Sequence, residues 1–182
     1  MPVLIARTGY TGEDGFELLV ANSDAEKLWD LITSKGVVPC GLAARDTLRL
    51  EAGMPLYGHE LGLDLTPYEA GLNKIISFEK SFVGDAALKA REGVTPPRKL
   101  YAIKGEGRRA ARADYEIFLP GGETSIGSVT SGVLSPTLGY PIAMAYLSGE
   151  LSLEVGSKLE ADVRGTRVEY EVVAMPFYKR GR

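Results

Sequence analysis

At Thr95-Pro96-Pro97 the sequence changes texture, and this break constrains the fold more than any other feature. A residue before proline is pushed off helical backbone, and each proline lacks an N–H, so two in succession end whatever element precedes them. Upstream, short strand-like runs alternate with helical ones. Downstream, strand-length runs are separated by Gly and Pro turns. The chain therefore reads as α+β over 1–95, followed by a small antiparallel barrel or sandwich over 96–182.

The upstream part predicts strands over Val3–Thr8 and Gly15–Ala21. Ser23 and Glu26 have the spacing of a capping box. Ala25, Leu28, Trp29 and Ile32 then recur at helical spacing, and Gly36 stands where a left-handed cap is wanted. A second helix is expected from Leu42 to Ala52, stopped at Gly53 ahead of Pro55. Pro67 is expected to open a third helical segment through Tyr68, Ala70 and Leu72, and Asp85–Arg91 a short fourth.

Downstream, Leu100–Lys104, Tyr115–Leu119, Ser125–Ser131 and Ile142–Leu147 read as strands. Leu159, Ala161 and Val163 alternate with charged residues, as do Val168, Tyr170 and Val172 across Gly165. That pattern predicts an antiparallel hairpin with one wet face.

Composition narrows the function classes. With 182 residues, 45% hydrophobic and 25% charged, the chain can bury a core without disulfide or metal staples. No apolar run has the ~20 residues of a membrane span, and the start lacks the pattern of a signal peptide. Cys40 is the only cysteine, which fits a reducing compartment and a cytoplasmic location. One Cys and one His do not assemble a zinc site of ordinary composition. Cys40 precedes a helix, where a thiolate is favoured, but a plain buried cysteine is the simpler expectation. His59 has no companion His and is expected on the surface or in a loop.

The net charge of −3 argues against nucleic acid as a partner. The charge is uneven: nine basic against fourteen acidic residues before the break, twelve against ten after it. Arg98, Lys99, Lys104, Arg108, Arg109 and Arg112 form a basic cluster, read either as solvated surface or as a seat for an anion or acidic partner.

Two clusters carry chemistry. Arg7-Thr8-Gly9-Tyr10-Thr11-Gly12-Glu13-Asp14-Gly15-Phe16-Glu17 packs glycines and carboxylates around Tyr10 ahead of a strand. Alternation places Glu17 opposite Phe16 and Leu18, so it is expected to face a pocket and to need a donor there. In Gly41 to Gly53, Arg45 and Arg49 share a helix face, and Asp46 is placed to pair with Arg49. Arg45, near the helix start, needs an anion, for which Glu17, Glu13 or a ligand carboxylate are candidates.

Gly9 to Glu17, and Gly41 to Gly53 running on to Leu56-Tyr57-Gly58-His59-Glu60, closely resemble the aminomethyltransferase (T-protein) family of the glycine cleavage system. The resemblance continues through Thr66–Leu72, Phe82-Val83-Gly84, Gly127–Gly132 and Met175-Pro176-Phe177-Tyr178, nearly the whole chain, but it matches only the C-terminal half of the family pattern. It implies part of the folate-binding core over 1–95 and a C-terminal antiparallel β-barrel over 96–182. It implies transfer of an aminomethyl group from the lipoyl arm of the H-protein to tetrahydrofolate, with release of ammonia and formation of 5,10-methylenetetrahydrofolate. Carried over by motif, Glu17 is expected to bind the pterin, whose adjacent N–H groups match two carboxylate oxygens. Tyr10 is expected as a pocket wall, Arg45 as a second folate contact, and a residue near Tyr178 or Arg180 as a contact from the C-terminal end.

The aspartate that the family places against the reacting folate nitrogen belongs to the half not matched here, so no catalytic acid or base and no metal ligand is expected. A chain of this kind reads as a truncated product or one piece of a split enzyme, inactive alone, and apolar surface left uncovered favours self-association. The alternatives are a folate- or partner-binding module without catalysis, the folate domain of a sarcosine or dimethylglycine dehydrogenase, and an iron–sulfur assembly factor. The last has a Cys signature that is not found around Cys40.

Overall fold

The structure is a computed structural model and describes residues 1–181. Its elements are β1 Leu4–Ala6, β2 Glu17–Leu19, α1 Ala25–Ser34, α2 Leu42–Glu51, α3 Asp85–Lys89, β3 Arg98–Gly105, β4 Glu116–Phe118, β5 Ser125–Leu134, β6 Pro141–Ser148, β7 Lys158–Asp162 and β8 Arg167–Val173. The upstream α+β part and the downstream barrel follow the order expected from sequence.

The barrel is closed, antiparallel throughout, with strand order β3-β6-β5-β4-β7-β8. Closure removes every free edge, which a short-stranded sheet otherwise leaves open to aggregation. Its interior is filled by Ile103, Ile117, Val129, Ala143, Ala145, Leu147, Leu159, Ala161 and Tyr170. The expected hairpin is present, with β7 and β8 in register from Lys158↔Glu171 to Asp162↔Arg167.

Strand β6 is buried at seven of its eight residues, and period-2 geometry explains why. Ala143, Ala145 and Leu147 face the barrel interior. Ile142 and Met144 face the other way and pack with Leu50 of α2, with Leu100, Val133 and Phe177 around them. The segment before Pro96 is thus joined to the barrel by a second core. Polar contacts reinforce it: Arg98 Nε donates to Glu69 Oε1 at 3.0 Å, and the Leu100 N–H donates to the Glu69 carbonyl at 3.0 Å.

Three local expectations are corrected. The Ser23–Glu26 capping box does not form, because Ser23 lies in a 3₁₀ turn over Asn22–Asp24 and α1 starts after Asp24 without a side-chain cap. Pro67–Gly71 is a run of turns rather than a helix. The Leu72 N–H reaches the Pro67 carbonyl, but Gly71 adopts φ 69°, so the helical path ends after one turn and only a 3₁₀ turn at Asn73–Ile75 follows. Cys40 is exposed, not buried. The cap glycines Gly36 and Gly53 do adopt left-handed φ, at 87° and 72°.

The two-stranded sheet and α1 pack lightly. Leu4, Ile5, Phe16, Leu19 and Trp29 are all exposed, and α1 has no fully buried residue although Leu28 and Ile32 are half-buried. No helix among the described residues is long and apolar enough to cross a membrane.

Candidate functional site

The site is organised by α2. The glycine-rich loop turns back over the C-terminal end of this helix at Gly12, which adopts φ 72° and lies so close to the Ala52 side chain that a Cβ there would collide with it. That approach carries Tyr10 onto the helix face. The Tyr10 hydroxyl donates to the Pro55 carbonyl, and burial pushes its phenol pKa up.

Arg45, from the first turn of α2, lies over the Tyr10 ring with its guanidinium carbon 5.2 Å from the centroid. The negative face of the ring supplies the compensation that the sequence reading sought from a carboxylate. Neither expected anion provides it. Glu17 accepts from the Thr8 hydroxyl, and Glu13 faces Arg180 at 3.8 Å. Among the described residues Arg45 has no carboxylate within ion-pair distance.

Arg49, one turn on, is almost wholly buried and fully engaged. Its Nε donates to Asp46 Oδ1 at 2.8 Å, as the spacing predicted. Its Nη1 donates to the Met54 carbonyl and to Glu60 Oε2 at 3.2 and 3.1 Å, and its Nη2 to Ser131 Oγ at 2.7 Å. Glu60 is itself inaccessible; its Oε2 also accepts the Leu56 N–H at 2.8 Å, while its Oε1 has no partner. The Tyr146 hydroxyl donates to the Glu60 carbonyl at 2.8 Å, and burial pushes that phenol up to about 12. At the end of α2, the Glu51 carboxylate accepts from Ser135 Oγ and from Thr137 Oγ1. These contacts fix α2 against β5 and the loop beyond it, so Arg45 projects from a rigid support.

Between Tyr10 and α2 lies a cavity of about 480 Å³ lined by Tyr10, Leu42, Ala43, Arg45, Asp46, Arg49 and Leu56. Its walls are mostly apolar or aromatic. With Arg49 and Asp46 paired, Arg45 is, among the described residues lining the cavity, the cation without a carboxylate partner. A ring stacked or seated on the apolar wall, with an anionic group reaching Arg45, is the ligand shape this arrangement suits.

The structure brings Tyr10 and Arg45 together but not the other two sequence-expected site residues. Glu17 lies on β2, whose three residues are all exposed, and it does not line the cavity. Glu17 is exposed because, among the described residues, neither face of the two-stranded sheet is covered. Tyr178 is half-buried beyond the far end of α2, its N–H donating to the Glu51 carbonyl at 2.8 Å. Sequence reading missed the Arg49–Glu60–Ser131 network. Glu60 was visible in the motif after Gly53, but Ser131 lies 82 residues from Arg49 and no local pattern links them.

Comparison with known proteins agrees with this fold. Residues 1–80 match the family model described as the GCVT N-terminal domain, and 98–179 match the glycine cleavage T-protein C-terminal barrel domain. An aminomethyltransferase of Corynebacterium jeikeium is 56% identical over 98% of this chain and 49% of its own length. One from Streptomyces avermitilis is 55% identical over 99% of this chain and 50% of its own. The crystal structure of glycine cleavage system aminomethyltransferase T from Bartonella henselae superposes with a TM-score of 0.88 at 34% identity, over 96% of this chain and 49% of that one. The chain spans about half the length of the curated relatives it matches. The barrel and these matches together place the chain in the glycine cleavage T-protein (aminomethyltransferase) family, about half of whose length it spans.

Proposed function

We propose that this chain contributes one wall of a tetrahydrofolate site for aminomethyl transfer. In that reaction the aminomethyl group carried on the lipoyl sulfur of the H-protein passes to tetrahydrofolate, ammonia leaves, the lipoyl thiol is freed and 5,10-methylenetetrahydrofolate forms. The observation that carries the reading is Arg45, fixed over Tyr10 beside an apolar cavity and unpaired among the described residues. Tyr10 and Leu42 offer a face to a ring system, and Arg45 offers its guanidinium to a folate carboxylate. Glu17, with Thr8 donating to its Oε2, is the carboxylate we assign to the pterin N–H groups, and Tyr178 a contact from the C-terminal segment. No residue of this chain is assigned as catalytic acid or base. Lipoylated H-protein is the proposed partner, the cytoplasm the proposed location, and residues 1–95 and 96–182 the proposed domains. A second copy of the chain, joined through the exposed Leu4, Ile5, Phe16 and Trp29, accords with the same reading.

Calorimetric titration with 5-formyltetrahydrofolate, an oxidation-resistant reduced folate, tests it. Saturable binding is expected, weakened in Arg45→Met and in Glu17→Gln by about 1.5–3 kcal/mol each, the scale of a hydrogen bond to a charged group. Unchanged affinity in a well-folded Arg45→Met removes this cavity from folate binding. Affinity unchanged in Glu17→Gln alone leaves the cavity assigned and removes the strand residue.

A further inference from the structure

The basic cluster noted after Pro97 divides in the folded chain. Arg98 is taken up by Glu69 and Asp64, and Lys104 by Glu171 at 2.7 Å. Arg108, Arg109 and Arg112 are joined instead by Arg164, which is 52 residues beyond Arg112 in the sequence. The four surround a basin of about 580 Å³ on the barrel surface, with Tyr115, Thr166 and Leu134 completing its wall and no acidic residue lining it.

The basin is built rather than frayed. The buried Tyr170 hydroxyl accepts the Ala111 N–H at 2.8 Å and donates to the Arg109 carbonyl at 3.3 Å, pinning the loop that bears three of the arginines. Gly132 lets that loop sit directly on β5, because the Ala111 carbonyl occupies the space a Cβ would need. Arg112 Nη1 donates to the Gly132 carbonyl at 3.0 Å, and Arg164 Nε to the Tyr115 hydroxyl at 3.4 Å. Arg164 holds φ 57° in the two-residue turn between β7 and β8, a left-handed position more often filled by Asn, Asp or Gly. Its neighbour Asp162 accepts the Gly165 N–H, and among the described residues no carboxylate pairs with any of the four arginines.

A second basin on the same barrel sharpens the contrast. It holds Lys104 and Lys158, but both are neutralised on the spot by Glu169 and Glu171. Four guanidinium-bearing residues lining one basin without such neutralisation repel one another, and their planar forks match the paired oxygens of phosphate and carboxylate. We propose that the Arg108–Arg109–Arg112–Arg164 basin is a binding site for a multivalent oxyanion, a polyphosphate or polycarboxylate small enough to lie among the four groups. This assignment is independent of the folate reading of the α2 cavity.

Titration calorimetry of the full chain with inorganic pyrophosphate and, separately, with tri-glutamate tests it. One-to-one saturable binding is expected for at least one probe, weakening as salt is raised. The double variant Arg112→Gln/Arg164→Gln should lose about tenfold or more in affinity, whereas Lys158→Gln in the other basin should bind as wild type. Because Arg112 and Arg164 also hold structure, Arg108→Gln/Arg109→Gln, whose side chains make no hydrogen bond among the described residues, must reproduce the loss with an unchanged melting temperature. Tighter pyrophosphate binding identifies a phosphate ligand, and tighter tri-glutamate binding a polycarboxylate. The proposal is overturned by no saturation with either probe up to about 10 mM. Equal weakening in Lys158→Gln overturns it as well, since that is the mark of diffuse charge, as does binding confined to long acidic polypeptides.

Discussion

Arg49→Met is the sharpest test of how the helix and the barrel are held together. The substitution keeps most of the apolar stem and removes the guanidinium, leaving the Glu60 carboxylate, inaccessible to solvent, with a single donor, the Leu56 N–H at 2.8 Å. Ser131 Oγ and the Met54 carbonyl lose their partner at the same time. Breaking a buried pair from one side costs about 3–5 kcal/mol, mainly because the remaining charge stays desolvated. Asp46 adds little to that figure, since its half-exposed carboxylate can return to water. Glu60→Gln should be far milder, about 1 kcal/mol, because an amide oxygen still accepts from Leu56 and Arg49. In the double variant Arg49→Met/Glu60→Gln no charge is left buried, so it should be more stable than Arg49→Met by about 1–3 kcal/mol, within the range of couplings for contacting residues. Urea unfolding of the four proteins, with a common m-value, measures all of this. A loss below about 1 kcal/mol in Arg49→Met, or additive single effects, would refute the claim that this ion pair is buried and mutually dependent.

Two further outcomes follow from the same contacts. Burial of Glu69 works against its ionisation, but the Thr66 N–H and hydroxyl and the Arg98 guanidinium outweigh it, and its carboxyl titrates below the ordinary value. Its contribution is therefore complete above the unfolded pKa of about 4.3 and is lost as pH falls through the lower folded value, so Glu69→Gln should flatten the acid limb of a stability–pH curve measured by denaturation, and an unchanged slope refutes the assignment. Tyr170→Phe removes the hydroxyl that satisfies the Ala111 N–H inside the barrel, and should cost about 1–3 kcal/mol in thermal or urea unfolding while leaving the far-ultraviolet spectrum unchanged.

The particular elements show what a linear reading can reach. α2 was legible because its end is set by local chemistry: Gly53 in left-handed backbone, and Pro55 beyond. The β7–β8 hairpin was legible because two alternating runs flank a turn. Pro67–Leu72 was misread, since one helical turn and the start of a helix look alike until Gly71 takes φ 69°. The exposure of Glu17 was not legible for a different reason. Alternation says which residues share a face, but not whether anything covers that face.

The candidate site divides the same way. The Tyr10 loop and the Arg45–Asp46–Arg49 spacing were visible as motifs, and Asp46 pairs with Arg49 as their separation requires. That Arg45 is balanced by an aromatic ring rather than a carboxylate depends on Gly12 bringing the loop against Ala52, 40 residues away. By itself the sequence determined the change of texture at Pro96-Pro97, the extent of α2, the alternation of the barrel strands and the family motifs, because each rests on neighbours a few residues apart. Only the tertiary structure decided the Arg49–Glu60–Ser131 network, the exposed position of Glu17 and the gathering of Arg164 with the arginines of the β3–β4 loop. Those depend on barrel closure and on two cores meeting at β6, contacts between residues tens of positions apart that no local periodicity encodes.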